Sequence, residues 1–472
     1  MTEIVREFLG GFRHRAQSSA TNPPSVALSV RVAVPDEASA AEMADLKRKF
    51  QEVFTTTMGE LGIGRKVAVE VEPRTDGRDH VDVSADGRPV ALFSAPVPDG
   101  DWPAAVCRLT HRRLLRRARV LLDDSETERL GALLPDVVPE GSRREVLDYL
   151  LDNGVALRQL ATDPLPGNEQ QTLTSVELAE LLITNVAPRW LSIAVPEQIL
   201  RNTLNHGRSA VVDLRVALFE ELGARFPDFR IDSHDVGSGE LRVRLNNVSS
   251  PSIKVGRSAA WPSAVSALRP VLAEHAAWFV RADEVDRTCR QLAMVVPDLV
   301  ELTLSRVPLL RLSACVRSLL ANADSVRNLP RIMWLLLDTA PSHGEIDQLM
   351  LAKPGGQSVE TDPESLASTV RRLIAYEAWA GGEAMPTERW STIALDVERA
   401  LCEASDPGST ADAEWPIVRQ VFASEHPAVV VVHQLAAVGP LRRALYALPA
   451  PPKVVASEEL PPDLPLPAEV SR

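Results

Sequence analysis

Apolar and polar residues follow two different periods in the first hundred residues. Residues 25–34, SVALSVRVAV, alternate at every second position and are rich in valine, which predicts a β-strand. In residues 36–62 the apolar positions recur at helical spacing; Asp36 or Ser39 can cap the start of this helix and Gly62 ends it. Three short alternating runs follow, separated by the turn sequences TDGRD and ADGR, so we expect a β-meander. The predicted order is β-α-β-β-β.

The same order is predicted a second time, later in the chain. Residues 101–163 have helical periodicity, and a Pro- and Gly-containing stretch, PLPGNEQQT, follows them as a predicted linker. From residue 190 the sequence predicts a strand, a long helix that ends at Gly223, and two or three short strands. A longer run of helical periodicity begins at Trp261. The chain therefore repeats a β-α-β-β-β unit followed by helices.

Short sequence matches accompany the repeated order. A Trp-Pro pair opens a predicted helix at Trp102 and again at Trp261. Residues 151–160, LDNGVALRQL, share leucine, asparagine and arginine positions with residues 320–329, LANADSVRNL. We interpret these matches as a tandem duplication of about 130 residues, although two copies are fewer than a solenoid of stacked repeats needs. The duplication by itself does not indicate a function.

The pattern changes after residue 351. The apolar runs STIAL, AVVVVHQ and PKVVA are separated by helical stretches, which predicts a β-α-β unit with parallel strands. The fold class is therefore expected to be α+β and α/β multidomain: two small βαβββ domains, each followed by a helical bundle, then a C-terminal α/β subdomain. The predicted boundaries are 1–24 (N-terminal helix or tail), 25–100 (first α/β subdomain), 101–163 (first bundle), 164–185 (linker), 186–257 (second α/β subdomain), 258–350 (second bundle), 351–465 (C-terminal subdomain) and 466–472 (tail).

Composition narrows the class of protein. The net charge of −13 argues against a general nucleic-acid binder, which is usually basic. The N-terminus lacks the basic region of a signal peptide, and no apolar run reaches the roughly 18 residues of a membrane span, so a soluble cytoplasmic protein is expected. The cysteines show no paired spacing, and we expect isolated buried thiols rather than disulfides or zinc ligands. They are Cys107, Cys289, Cys315 and Cys402.

Sequence signatures of catalysis are missing. The chain has no GxxxxGK[ST] phosphate loop, no GxSxG nucleophile elbow and no HExxH zinc motif. His433 ends an apolar run, where a satisfied structural histidine is favoured over a catalyst. We therefore expect a protein without catalytic residues, cofactor or metal. An enzyme whose residues converge only in three dimensions stays an alternative.

One run of arginines is the sharpest charge feature. Residues 111–122, HRRLLRRARVLL, carry Arg112, Arg113, Arg116 and Arg117 around much of a predicted helix. As a basic surface, they could bind an acidic protein or a nucleic acid. The favoured interpretation is that they pair with the surplus acids of the chain itself.

Three stretches in the second half resemble one family. These are LFEELGARFPDFRIDSHD at 218–235, LLANADSVRNLPRIMWLLLD at 319–338, and STIALDVERAL together with the AVVVVHQ-to-SEELP region. In this order they are similar to the cytoplasmic domain of the FHIPEP family, the flagellar and type III secretion export-gate proteins. The resemblance covers about residues 186–465, with a partial second copy over 25–165. The positions that match family motifs or their repeat are Arg158, Arg327, Leu329, Arg442, Arg443 and Glu459.

The chain also departs from that family. Its members begin with a membrane-spanning half, and they insert a further subdomain where this chain has only SIKVGRSAAWPS. Asn328 stands where the family motif has aspartate, and Gln159 stands there in the first copy. The resemblance implies a non-catalytic interaction or scaffold protein with protein partners and a capacity to form homo-oligomers. An adaptor in a bacterial signalling or defence system, which uses the same modules only for docking, is the alternative.

Overall fold

The structure is a computed structural model of the chain, and it describes most of residues 27–339 and parts of the C-terminal region. The described residues are 27–35, 38–73, 80–94, 102–135, 137–157, 160, 173–186, 190–233, 239–245, 248–256, 260–321, 324–339, 366–367, 369–371, 374, 390–392, 398, 429–434, 437–438, 441, 445, 452–457 and 460.

The first sheet has four strands in the order β2-β1-β3-β4. Strand β1 lies between a parallel β2 and an antiparallel β3, and β3 and β4 form a hairpin. The strands are correctly predicted, but the β-meander is wrong, because β1 separates β2 from β3. The connection between β2 and β3 is longer than a two-residue hairpin turn and allows the chain to cross β1. The strands are β1 (Leu28–Val34), β2 (Val67–Pro73), β3 (His80–Ala85) and β4 (Arg88–Ser94).

Helix α1 (Ala40–Leu61) connects β1 to β2 and covers the sheet. Of the two predicted caps, Ser39 is the one used: its hydroxyl accepts from the Glu42 amide, and the Glu42 carboxylate accepts from the Ser39 amide at 2.9 Å. At the other end Gly62 adopts φ 88°, which favours glycine. The side chains that α1 buries, at helical spacing, are Leu46, Phe50, Phe54, Met58 and Leu61.

Short helices follow the first sheet. They are α2 (Trp102–Arg116), α3 (Asp124–Gly131) and α4 (Arg143–Asp152), with a 3₁₀ turn at Ala118–Leu121. The Asp123 carboxylate caps α3 by accepting from the Glu126 amide at 2.7 Å. The continuous helical periodicity predicted from residue 101 is therefore divided into separate helices that pack on one another.

The predicted linker 164–185 is wrong over its second part, where Ser175–Asn185 form helix α5. The sequence TSVE is a capping box: Thr174 Oγ1 accepts from the Glu177 amide, and the Glu177 carboxylate accepts from the Thr174 amide. Residues 161–172 lie outside the described part of the chain. Helix α5 packs against α4, so it belongs to the helical core.

The second sheet repeats the order and directions of the first. Its order is β6-β5-β7-β8; β5 is parallel to β6 and antiparallel to β7, and β9 also pairs with β7. Helix α6 (Glu197–Leu222) connects β5 to β6, as α1 connects β1 to β2. The tandem duplication, which this shared order suggests, stays a prediction. The strands are β5 (Leu191–Val195), β6 (Phe229–Ser233), β7 (Glu240–Leu245), β8 (Val248–Ser249) and β9 (Ile253–Lys254).

The second helical block consists of α7 (Trp261–Glu274), a 3₁₀ turn (Ala276–Phe279), α8 (Ala282–Ala293), α9 (Pro297–Arg306), α10 (Leu309–Ala321) and α11 (Leu329–Thr339). Helix α5 contacts both α8 and α10, so it joins the first helical block to the second. Buried residues of both blocks belong to one continuous hydrophobic core.

The C-terminal region contains a parallel sheet, as predicted. Strand β11 (Val429–Val432) pairs in parallel with β10 (Trp390–Thr392) on one side and with β12 (Lys453–Ala456) on the other. The buried valines of β11 and β12 explain why these segments are almost continuously apolar.

Polar contacts also join the first half to the second. The Glu60 carboxylate, on α1, accepts from the amide and the hydroxyl of Ser249, on β8, at 2.9 and 2.7 Å. Trp278 Nε1 donates to the carbonyl of Asp152 at the end of α4, at 3.2 Å. The two halves are therefore in direct contact at the sheet level and at the helix level.

Candidate interaction surface

An apolar groove of about 120 Å³ opens where the C-terminal end of α6 meets the start of α11. Helices α8 and α10 and the 3₁₀ turn complete its walls. Most of its lining is aliphatic or aromatic, with a few charged groups. The lining residues are Phe219, Gly223, Ala224, Arg225, Phe279, Val280, Glu284, Val285, Thr288, Val316, Leu320, Val326, Arg327 and Leu329.

A close backbone contact holds the two ends of the groove together. Gly223 ends α6 at φ 75°, and a Cβ atom at this position would lie 2.2 Å from the backbone nitrogen of Arg327. The Val326 amide donates to the carbonyl of Leu222 at 2.8 Å. Only glycine can therefore combine this left-handed conformation with such a close approach. The sequence predicted that α6 ends at position 223. It did not predict that Gly223 packs against residues 325–329, which we call the SVRNL segment.

The SVRNL segment shapes the start of α11. The Asn328 carboxamide oxygen accepts from the Arg331 amide at 3.2 Å, so Asn328 caps this helix. Arg327 donates to the carbonyl of Glu220 at 3.3 Å. Arg327 and Leu329, both named from the sequence, line the groove together. The other motif positions, Arg158, Arg442, Arg443 and Glu459, lie outside the described residues.

An exposed apolar stripe on α6 leads into the groove. Val212, Val216 and Phe219 are spaced i, i+4 and i+7, so they lie on one face of the helix. Their exposed fractions are 49%, 50% and 41%. Phe219 also lines the groove, so the stripe and the groove form one surface, which we call the α6 surface. This stripe was not predicted from the sequence, although its spacing is visible in residues 211–219, VVDLRVALF.

Glu284 is the acidic group of the groove. Burial raises the pKa of its carboxyl, Asp283 acts in the same direction, and Arg281, Arg287 and Arg225 act against it. Its carboxylate forms no ion pair within 4.0 Å with the described part of the chain. A half-buried carboxylate without such a pair can be neutralised by a basic group of a ligand or partner.

The arginine run does not form a continuous basic surface. Arg113 and Arg117 are almost completely buried, at 4% and 2% exposure. The Arg117 guanidinium donates to the carbonyl of Pro89 at 2.8 Å, because α2 packs against β4. For these two residues the prediction of a surface position is wrong.

The other two predicted basic residues pair with an acid of the same chain. Arg112 and Arg116 both bind the carboxylate of Glu274, at the end of α7. Burial alone would raise the pKa of Glu274, but the charges of Arg116, His275 and Arg112 lower it on balance. Arg112 and Arg116 therefore pair with an acid of the same chain, which was the favoured interpretation of the arginine run. Their ion pairs link the two halves of the protein.

Other candidate chemistry is limited in the described residues. They contain no group of three or more His, Cys, Asp or Glu side chains that could hold a metal ion. Cys107, Cys289 and Cys315 are buried, Cys289 and Cys315 as free thiols, and burial raises the pKa of the Cys315 thiol to about 12. The amide of His433 donates to buried Glu398 at 2.7 Å. No helix among the described residues is long and apolar enough to span a membrane.

Comparison with solved structures gives several matches. The Shigella flexneri MxiA protein is 16% identical with a TM-score of 0.45, and the match covers 58% of this chain and 95% of that chain. The Chlamydia pneumoniae CdsV protein is 16% identical with a TM-score of 0.44, with coverage of 59% and 96%. The nonameric EscV cytosolic domain from the type III secretion system is 12% identical with a TM-score of 0.45, with coverage of 59% and 95%.

The matched structures also include the C-terminal domain of InvA, which is 16% identical with a TM-score of 0.43. One further match is a complex of CdsV with CdsO. No protein-family model and no curated protein matches the chain.

Proposed function

We propose that this chain is a non-catalytic interaction protein, similar in architecture to export-gate cytoplasmic domains, which docks another protein on the α6 surface. The observation that carries the proposal is the exposed stripe of Val212, Val216 and Phe219 leading into the apolar groove. Apolar side chains that line up on one helix face and adjoin a concave apolar site are typical of protein-binding surfaces.

The energetics favour docking over a role in folding. Each of the three side chains leaves about half of its surface in water, so folding gains only part of its burial energy. Covering the remainder of an aliphatic or aromatic side chain contributes on the order of 1 kcal/mol. A partner that covers the stripe gains a contribution of this size from each of the three side chains, and a group that fills the groove adds to it. The close contact of Gly223 with Arg327 holds the end of α6 against the start of α11, which favours a preformed surface.

Site-specific photo-crosslinking in the native host tests this function. A photoreactive amino acid replaces Val216 in one variant and Leu133, an exposed apolar residue of the first half, in the control variant. We expect a discrete adduct from position 216 and none from position 133. Mass spectrometry of the adduct distinguishes a second copy of this chain, which would indicate self-assembly, from a different protein. Identical adduct patterns from both positions would contradict docking on the α6 surface.

A further inference from the structure

A second cavity, of about 440 Å³, lies between the first half of the chain and the second. Helix α2 of the first half contributes Ala105, Arg108, Leu109 and Arg112, which recur at i, i+3, i+4 and i+7 and therefore share one face of the helix. The other walls come from the second half. They consist of α7, the histidine at its end, and the residues around the start of β9.

The cavity is large enough for a small organic molecule. It leaves room for about a dozen non-hydrogen atoms, at the roughly 30 Å³ that a water molecule occupies in the liquid. Leu109, Ile253 and Val271 give it apolar walls. A pocket of this size, with apolar walls and a few polar groups at the junction of two parts of a chain, is typical of small-ligand sites.

The charged groups of the lining are basic. Among the described residues that line the cavity, Arg108 and Arg112 carry charge, and none is aspartate or glutamate. His275 also lines it, but burial lowers its pKa to about 4, so the ring is neutral near pH 7. Beside the cavity, Arg112 and Arg116 both bind Glu274, which places two guanidinium groups against one carboxylate. The local charge therefore favours an anionic ligand.

Arg112 keeps hydrogen-bonding capacity for such a ligand. Its Nε atom donates to the Glu274 carboxylate, and its two terminal nitrogens have no hydrogen-bond partner among the described residues. The side chain is 41% exposed, so the protein does not enclose it. A guanidinium group presents N–H groups in a fork that matches the two oxygens of a carboxylate. Because Glu274 already holds the side chain, a ligand does not need to order it.

We propose that this cavity binds a small organic acid, whose carboxylate accepts from the terminal nitrogens of Arg112 and whose apolar body lies against Leu109, Ile253 and Val271. The bound acid contacts both halves of the chain and therefore stabilises their association. The cavity shares no lining residue with the groove of the α6 surface, so this inference goes beyond the proposed function and does not depend on it.

Two matched probes test the charge of the ligand with the full chain. Cinnamate and cinnamamide have the same apolar body and differ in the charge of one group. Isothermal titration calorimetry gives the dissociation constant and the number of molecules bound. We expect one cinnamate per chain, bound about tenfold more tightly than cinnamamide, with a smaller difference at high salt. Cinnamate should also raise the midpoint of thermal unfolding, because it binds the folded chain.

A pair of variants on α7 assigns the binding to the cavity. Ala267 lines the cavity and is half-buried, so Ala267→Phe places a ring in the cavity without replacing a core residue. We expect this variant to bind both probes at least about tenfold more weakly. Ser266 is exposed on the same helix and is not one of the lining residues. Ser266→Phe is therefore the matched control and should leave both dissociation constants unchanged.

A second pair of variants assigns the preference for an acid to Arg112. Arg112→Gln should weaken the binding of cinnamate about tenfold, to the level of cinnamamide, and leave cinnamamide unaffected. Arg290→Gln removes the same charge from a side chain that is 79% exposed on α8, and it should change neither affinity. Circular dichroism and thermal unfolding verify that each variant is folded. If Arg112→Gln does not fold, the two probes with Ala267→Phe still decide.

Three results would overturn the inference: cinnamate does not bind saturably, cinnamamide binds as tightly as cinnamate, or the Ala267→Phe variant binds cinnamate like the wild-type chain. A folded Arg112→Gln variant that still prefers the acid would overturn the role of Arg112. The photo-crosslink at position 216 probes a different surface, so its success or failure leaves this test unchanged.

Discussion

Arg317 and Glu180 form an ion pair in the hydrophobic core, with Arg317 Nε 2.6 Å from Glu180 Oε1. The guanidinium also donates to the carbonyls of Ala277 and Val280, at 2.6 Å each. The Tyr149 hydroxyl donates to the same carboxylate at 2.7 Å. This network joins α4, α5, α10 and the 3₁₀ turn, so it connects the first helical block to the second.

Removal of one partner of this ion pair should be strongly destabilising. Arg317→Met leaves the buried Glu180 carboxylate without its counter-charge, and we expect a loss of about 3–5 kcal/mol in the free energy of unfolding. The double variant Arg317→Met, Glu180→Leu should recover part of this loss, because no isolated charge is buried. Urea unfolding followed by circular dichroism measures both. A single variant as stable as the wild-type chain would show that the pair is solvated in solution.

Gly154→Ala should destabilise the protein at the contact between the two helical blocks. Gly154 follows α4 at φ 66°, and a Cβ atom there would lie 2.2 Å from the indole ring of Trp278. We expect a loss of about 3 kcal/mol or more, from backbone strain and overpacking together. The control is Gly87→Ala, with φ 76° but nothing within 4 Å, which should cost only about 1 kcal/mol. Equal losses in the two unfolding curves would show that the contact with Trp278 is unimportant.

Gly59→Ala should stabilise the protein. Gly59 lies within α1, its backbone is helical, and nothing lies within 4 Å of an added Cβ atom. Alanine is favoured over glycine in a helix by about 0.5–1 kcal/mol, mainly because the unfolded chain loses less freedom on folding. The midpoint of urea unfolding should rise with an unchanged slope. A lower midpoint would indicate that α1 needs the flexibility of glycine at this position.

Stability should decrease as the pH falls from about 6.5 to about 4. Burial lowers the pKa of the His275 imidazole to about 4, although Glu274 acts in the opposite direction. Burial, with the charges of Arg242 and His275, also lowers the pKa of His111 to about 4. Between these values the unfolded chain binds more protons than the folded chain, so acid favours unfolding, by up to about 3 kcal/mol for each histidine.

His275→Gln provides the comparison for this pH effect. The variant should be less stable at neutral pH, because the contact of the imidazole with Trp278 and its hydrogen bond to the Val271 carbonyl are lost. The part of its pH dependence that comes from these two histidines should nevertheless be about half as steep as in the wild-type chain, since only His111 of the pair continues to titrate in this window. Denaturant unfolding at several pH values measures the slope. Parallel pH profiles would exclude His275 as a source of the effect.

Local sequence patterns determined most of the secondary structure. The alternation in residues 25–34, the capping box at Ser39 and the glycines at positions 62 and 223 act within a few residues of chain, so they are visible without tertiary information. The parallel sheet of the C-terminal region was also predicted, because strand-helix-strand connections of this length favour parallel pairing.

Only the tertiary structure decided which surfaces are free. Arg113 and Arg117 have the same side chain as the exposed arginines, and their burial against β4 follows from how α2 packs. The place of β1 between β2 and β3, and of α5 in the core rather than in a linker, depends on contacts between distant segments. The groove likewise exists because residues 223 and 327, more than a hundred positions apart, meet in space. Periodicity shows which face of an element is apolar, but whether this chain or a partner covers that face is set by long-range packing.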